Sequence, residues 1–320
     1  MHKGAICRRA IPEDHKGIME INDNIYEGLD YIPALFPIYV EQPFRHCFVC
    51  EQDGKIMAYM QWTIIDGGHS RIGQANRSIV GSKGYFKQLD IYTRAQMEKL
   101  CPGTRIVYTA IYGDYQQKKT KDTERIKVME MRYRRVYVIN ANQDTSVLET
   151  SEYNPTGSVQ RINAREMEEI VLKDRTTKHL FPADNITCGF EPLSTTQGLN
   201  CNIQHIFKHA TVSASFNNGN TCEGISFLGS YLIKLGIRSN FDFYGSDDVI
   251  FRCHIIEQAK EALKVARARN MDLYFCVHFP QTFSLETLDE YATKVLGWEI
   301  FEPLIEDNVY IAAQESYSKQ

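Results

Sequence analysis

The 320-residue chain has no run of about 18 consecutive apolar residues, so no segment of it reads as a membrane-spanning helix. It has no excess of either charge: 36 Lys and Arg stand against 40 Asp and Glu, for a formal net charge of −4. No global basic field therefore draws it to nucleic acid or anionic lipid. With 10 prolines and 20 glycines it is neither collagen-like nor low-complexity. The opening MHKGAICRRAIPEDHKG contains no apolar core of signal-peptide length, and acidic residues arrive at Glu13 and Asp14. The nine cysteines, an odd number scattered from Cys7 to Cys276, read as reduced thiols of a cytoplasmic protein, most of them packed as small hydrophobes. What remains is ordinary globular composition, 43% hydrophobic and 24% charged, in a chain long enough to bury a core without covalent staples.

Patterning predicts an alternation of helices and strands. Ile18, Ile21 and Ile25 recur at helical spacing after Asp14, and a second helix follows Pro33. His46–Cys50 and Ile56–Ile65 read as strands joined at Asp53-Gly54, a strong hairpin signal, with Ser70–Ile79 as a third strand. A helix with Phe86, Leu89, Thr93, Met97 and Leu100 on one side ends at Pro102-Gly103. Arg105–Tyr112 is a strand, Gln116–Tyr133 a long charged helix, and Val136–Ile139 the last strand of this half. The polar stretch Asn140–Gly157 reads as a linker. Beyond it the order repeats: strand from Val159, helices over Arg165–Lys173 and Leu199–Lys208, strands Thr211–Phe216 and Glu223–Leu235, and a strand at Phe241–Tyr244. A helix Ile250–Asn270, a strand Met271–Phe279, a helix Ser284–Val295 and a hairpin over Glu299–Ala313 complete it. Two halves of domain size follow: 1–142, a linker 143–157, and 158–320.

Val80-Gly81-Ser82-Lys83-Gly84-Tyr85-Phe86 stands directly before the third helix. A loop entering a helix offers unpaired N–H groups and the positive end of the helix dipole. Glycines let the backbone approach a diphosphate, and Lys83 adds a formal charge. At the equivalent junction of the second half, Phe243-Tyr244-Gly245-Ser246-Asp247-Asp248 keeps one glycine and adds two aspartates that would repel a diphosphate. That half reads as a non-catalytic partner.

Three passages carry a resemblance: Ile25-Tyr26-Glu27-Gly28-Leu29-Asp30-Tyr31-Ile32-Pro33, the run VGSKGYFKQL from Val80 to Leu89, and Lys294-Val295-Leu296-Gly297-Trp298-Glu299. They resemble the GNAT acyltransferase superfamily, and within it the vertebrate histidine N-acetyltransferases. The resemblance implies an α/β (α+β) fold of tandem GNAT-like domains, each a mixed, mostly antiparallel sheet flanked by helices. It implies acetyl-CoA as co-substrate, held by Gly81, Ser82, Lys83, Gly84 and Tyr85, and as acceptor the amine of a small molecule, an amino acid such as histidine. In such a fold the thioester lies between splayed central strands near the end of the fifth. That implies Tyr112 or Tyr115 as acid and Asp114 or Glu27 as base, with Tyr26, Glu27, Asp30 and Tyr31 lining the acceptor. Asp30 as a helix cap, with packed tyrosines, is the other reading of the last group. Registered on Leu89, Gly84 matches the superfamily pattern, whereas Gly81 replaces an expected Gln or Arg and Phe86 a small residue. A catalytically inactive binding or scaffold protein of the same fold is therefore the alternative.

Other signals carry less. Cys47 and Cys50, three apart on a strand, face opposite sides and cannot share a metal. Cys201, His205 and His209 share a helix face without a clear fourth ligand, so no metal is expected. The basic run Lys118–Arg135 is interrupted by Asp122, Glu124 and Glu130 and lacks a stacking platform for nucleic acid. Ser226 and His254 are present, but no nucleophile elbow frames a serine.

Overall fold

A computed structural model describes residues 4–22, 24–79, 83–112, 126–150, 159–304 and 308–315. The first half runs β1 (Ile6–Arg9), α1 (His15–Met19), α2 (Ile32–Tyr39), β2 (Arg45–Gln52), β3 (Lys55–Ile65), β4 (Ser70–Ser78), α3 (Lys83–Leu100), β5 (Ile106–Tyr112) and β6 (Ile126–Ile139). After α4 (Ser146–Thr150) come β7 (Gln160–Arg161), α5 (Ala164–Thr177), β8 (Asn185–Cys188), β9 (Glu191–Ser194) and α6 (Leu199–His209). Then follow β10 (Thr211–Phe216), β11 (Cys222–Leu232), β12 (Ile237–Gly245), α7 (Asp248–Ala268), β13 (Leu273–Pro280), α8 (Leu285–Glu290), β14 (Glu299–Ile300) and β15 (Asn308–Glu315).

Local chemistry accounts for much of this. Asp53 and Gly54 both take positive φ, the turn that matches the twist of β2 and β3. Asn163 caps α5, accepting from the amides of Arg165 and Glu166 while Glu166 reaches back to its own N–H. α7 buries Phe251, Ile255, Ala259, Leu263 and Ala266, three or four residues apart, against Phe241, Phe243 and Phe275 of the sheet. Each fully buried large side chain there contributes about 1.5–3 kcal/mol.

Thirteen described strands form one sheet, in the order β1-β2-β3-β4-β5-β15-β6-β13-β12-β11-β10-β7, with β14 also on β6. Two expectations fail here. The helix expected over Gln116–Tyr133 is strand β6 from Ile126 onward, and the expected closing hairpin does not form. β14 pairs with β6, while β15 pairs with both β5 and β6 and not with β14. The halves thus exchange strands: Asn308–Gln314 lie between β5 and the first part of β6, and Arg132–Ile139 continue alongside β13. β6 misreads as a helix because Glu130, Arg132 and Arg134 point into the protein between the halves. Arg132 and Arg134 are buried there and Glu130 is half-buried, so the usual hydrophobic alternation is missing.

A shared core joins the halves. Ile65, Ile72 and Tyr108 pack with Ile186, Leu193, Ile203, Phe227 and Tyr244. Asn202 on α6 donates to the Asp66 carboxylate at 2.8 Å and accepts from the Asp66 amide at 3.0 Å. Gly198, at φ +60°, is required at this approach: a Cβ there would lie 2.3 Å from the Asp66 carbonyl carbon.

All nine cysteines are free, and Cys201 is the exposed one. Burial pushes the thiols of Cys47 and Cys222 up to about 11 and about 12. Iodoacetamide is expected to alkylate Cys201 first and Cys47 and Cys222 only on unfolding, as read by peptide mass mapping. Equal rates would contradict the packing.

Candidate active site

The two halves differ where their parallel central strands part. In the first half β4 and β5 pair from Ser70–Ile106 to Gly73–Thr109 and then separate. Immediately beyond, β4 bulges: its register on β3 shifts between Tyr59 and Gln61, and Ala75 has φ +54°. A bulge bends and twists its strand, which carries β4 away from β5 and opens a cleft. In the second half β12 and β13 stay paired to Asp242–His278, and β12 runs along β11 without a register shift. The gap beyond is closed by Arg132 of β6. Its guanidinium donates to the Phe243 carbonyl, donates to the His278 carbonyl at 3.0 Å, and lies over the Tyr244 ring at 4.2 Å.

A cavity of about 270 Å³ lies between the halves. Tyr31, Leu35 and Tyr39 on and beside α2, Arg45 and Gln74 line it from the first half, and the β8–β9 turn, the end of α6, β11 and β12 from the second. Gln74 is the first β4 residue after β4 leaves β5, so the cavity meets the mouth of the cleft.

One polar chain runs along this wall. Arg45 pairs with Glu191 at 2.7 Å, lies 4.0 Å over the Tyr39 ring, and donates to Thr63 Oγ1 at 2.9 Å. Thr63 in turn donates to Gln74 Oε1 at 3.3 Å. The other Glu191 oxygen bonds His205 Nε2. Burial alone would raise the Glu191 carboxyl, but the Arg45 guanidinium and the His205 ring outweigh it and hold that carboxyl well below the usual range. Burial, reinforced by His205 and Arg45, pulls His209 down to about 4. Across the cavity, burial pushes Asp242 up to about 6, although Arg132 and a 2.9 Å hydrogen bond from the Gly189 amide oppose the shift. His278, 3.5 Å from Asp242, is held far below its ordinary value by burial and by Arg132, Arg134 and Arg238.

The residues singled out from sequence are scattered. Gly81, Ser82, Asp114 and Tyr115 lie outside the described residues. Lys83 opens α3 and Gly84 follows it. Tyr85 is buried and donates to Gln52 Oε1 at 2.6 Å. Phe86 packs on the core of Phe48, Trp62 and Leu89. Tyr31 reaches the inter-half cavity; Tyr26, Glu27 and Asp30 are not among its lining residues. Tyr26 and Glu27 form a left-handed turn, and Asn24 donates to the Glu27 carboxylate at 3.0 Å. Asp30 accepts both Arg77 Nη groups, at 2.9 and 3.1 Å, and the Ile32 amide at the start of α2. Arg45, Glu191 and Asp242 escaped sequence reasoning because they lie on separate strands with no motif around them. His205 drew notice only as part of a metal seam. Among the described residues no group of three or more His, Cys, Asp or Glu is placed to hold a metal. Ser226 on β11 does meet His254 on α7, at 2.8 Å, but both are fully buried between that strand and helix, out of reach of a substrate.

No family model matches the chain. A histidine N-acetyltransferase from Scomber australasicus is 28% identical to it over 75 residues, 23% of this chain and 22% of that protein. The match thus spans about a fifth of the relative's length. Among solved structures, a GCN5-related N-acetyltransferase from Sphaerobacter thermophilus superposes with a TM-score of 0.58 at 10% identity, covering 98% of this chain and 96% of its own. A tandem GNAT protein from the clavulanic acid biosynthesis pathway gives 0.58 at 10% identity over 99% and 100%. N-myristoyltransferase from Saccharomyces cerevisiae gives 0.51 at 8% identity over 98% and 80%. The chain has a tandem GNAT-type fold. Among the described residues no helix is long and apolar enough to cross a membrane.

Proposed function

We propose that this chain is an acyl-CoA-dependent N-acyltransferase that moves an acetyl group from acetyl-CoA to the amine of a small molecule. The observation that carries the reading is the bulge-driven parting of β4 from β5, which meets the cavity between the halves at Gln74. The N-myristoyltransferase of this fold has been solved with myristoyl-CoA bound, which supports an acyl-CoA in such a cleft. An amino acid such as histidine is the acceptor suggested by the Scomber australasicus relative, and a cavity of about 270 Å³ suits a molecule of that size. Residues 1–142 form the catalytic unit and 158–320 the partner that completes the acceptor pocket, the whole working in the cytoplasm.

In this reading Gly81, Ser82, Lys83, Gly84 and Tyr85 hold the CoA diphosphate at the start of α3, where helix amides favour an anion. The thioester carbonyl sits at the mouth of the cleft. Amides of the bulged strand stabilise the oxyanion of the tetrahedral intermediate. Tyr115, or Tyr112, protonates the departing thiolate. Tyr31 forms part of the acceptor wall, while Tyr26 and Asp30 hold the turn into α2 in shape.

Acetyl-CoA is expected to raise the melting temperature, because a ligand that binds only the folded state must do so. One member of an amino-acid panel is expected to release free CoA. Lys83→Ala is expected to weaken acetyl-CoA binding about tenfold, the loss of one charge-assisted contact. Unchanged affinity on titration would contradict the loop assignment. The alternative, a binding protein without turnover, rests on Gly81, which stands where a Gln or Arg is expected, whereas Phe86, packed on the core of Phe48, Trp62 and Leu89, counts against it. It predicts a melting shift with acetyl-CoA but no CoA release with any amine.

A further inference from the structure

We infer that His205 of the second half, held by Glu191, takes the proton from the acceptor's ammonium group. The assignment rests on the transferase reading above and names the base for it. Three observations carry it. His205 lies on the cavity wall, on the side joined through Glu191, Arg45 and Thr63 to Gln74 at the cleft mouth. Its Nε2 is committed to the Glu191 carboxylate, which fixes the tautomer: Nε2 carries the proton and Nδ1 keeps its lone pair. The structure gives Nδ1 no hydrogen-bond partner among the described residues, on a side chain that is 13% exposed and lines the cavity. The ring is also clamped edge-on against Phe44 and His209, at 5.1 Å from each.

The other acidic and basic groups of the cavity fit the role less well. Glu191 is paired on both oxygens. Asp242 is only 2% exposed and already accepts the Gly189 amide. Arg45 is permanently charged. His209, in the last turn of α6, is held down to about 4 by burial and by neighbouring His205 and Arg45, which disfavours its taking up a proton. Glu27, the base suggested from sequence, is off the cavity and bonded to Asn24.

The step balances simply. The ammonium R–NH3+ gives one proton to Nδ1, leaving R–NH2 and an imidazolium whose charge Glu191 stabilises. The amine lone pair forms the new N–C bond to the thioester carbon. The C–S bond breaks, and the electron pair leaves on sulfur. The resulting thiolate is protonated to CoA-SH as the amide nitrogen sheds its second proton, and His205 returns its proton to solvent.

His205→Ala in the full-length chain is the test, read with acetyl-CoA and the best amine of the panel. kcat is expected to fall about 100-fold with KM changed less than about threefold, since a general base contributes to the barrier rather than to binding. Added imidazole is expected to restore about tenfold of that loss in His205→Ala and to leave the wild type unchanged. His205→Gln, which keeps a donor toward Glu191, is expected to bind acetyl-CoA as the wild type does and still be slow. Recovery with imidazole shows that the variant is folded and lacks only a base. An active wild type whose His205→Ala variant retains its kcat, or loses it without imidazole rescue while His205→Gln is active, overturns this assignment alone. A wild type that acetylates no amine overturns the transferase reading as well.

Discussion

Arg45→Met is expected to lower stability by about 3–5 kcal/mol, because it strands a buried carboxylate. The Arg45 and Glu191 side chains are 3% and 8% exposed and meet at 2.7 Å. Without the guanidinium, Glu191 keeps only the hydrogen bond to His205 Nε2, and the Thr63 and Gln42 contacts at 2.9 and 2.8 Å also go. Removing both charges is a different matter. A buried ion pair often contributes little over a well-packed apolar pair, since desolvation consumes most of the attraction. Arg45→Met/Glu191→Leu should therefore recover most of the loss in urea denaturation. Its kcat should not recover, because His205 has lost the carboxylate that orients it. A double variant as unstable as the single one would show that the pair itself holds the halves together.

Arg132→Ala is expected to cost a similar amount, about 3–5 kcal/mol, and to leave the number of CoA sites unchanged. The guanidinium is 2% exposed, pairs with Glu130 at 3.2 Å, and donates to the Phe243 and His278 carbonyls. Truncation leaves two buried carbonyls and a carboxylate short of partners. Arg132→Lys should rescue little, because an ammonium on a flexible stem does not reproduce the planar fork that spans both carbonyls. The emptied gap should not take up acyl-CoA: β12 has no bulge to turn it away from β13, and Asp247 already caps the start of α7 by accepting the Ile250 amide at 2.9 Å. Calorimetric titration of Arg132→Ala should still give one equivalent of acetyl-CoA. A second equivalent would mean that the second half is a latent site and Arg132 its plug.

Much of the architecture could be read from local pattern, because local chemistry decides it. Asp53-Gly54 specifies its turn whatever surrounds it, and the apolar stripes of α3 and α7 follow from burying one face. The first part of β6 and the pairing of β15 escaped because their partners come from the opposite half of the chain. A strand inserted between β5 and β6 from residues 308–315 leaves no mark in its own sequence. Arginines at 132 and 134 pointing inward made β6 look like a solvated helix. The site divides in the same way. In sequence the loop before α3 reads as an anion-binding context, since glycine, lysine and a helix start lie side by side, and its Gly81 and Ser82 lie outside the described residues. The wall of the cavity between the halves was not legible. Arg45, Glu191 and His205 are contributed by β2, β9 and α6 and meet only once the halves pack. Asp30 illustrates the reverse: in sequence it could serve a ligand or a helix, and in the fold Arg77 and the Ile32 amide take up its carboxylate.

A crystal structure of the chain with acetyl-CoA tests the central claim most directly. The account predicts one CoA per chain, its diphosphate at the start of α3 and its thioester between β4 and β5, facing the cavity beside Gln74. Cofactor lodged between β12 and β13, or a cleft between β4 and β5 that stays closed at saturating acetyl-CoA, would contradict it.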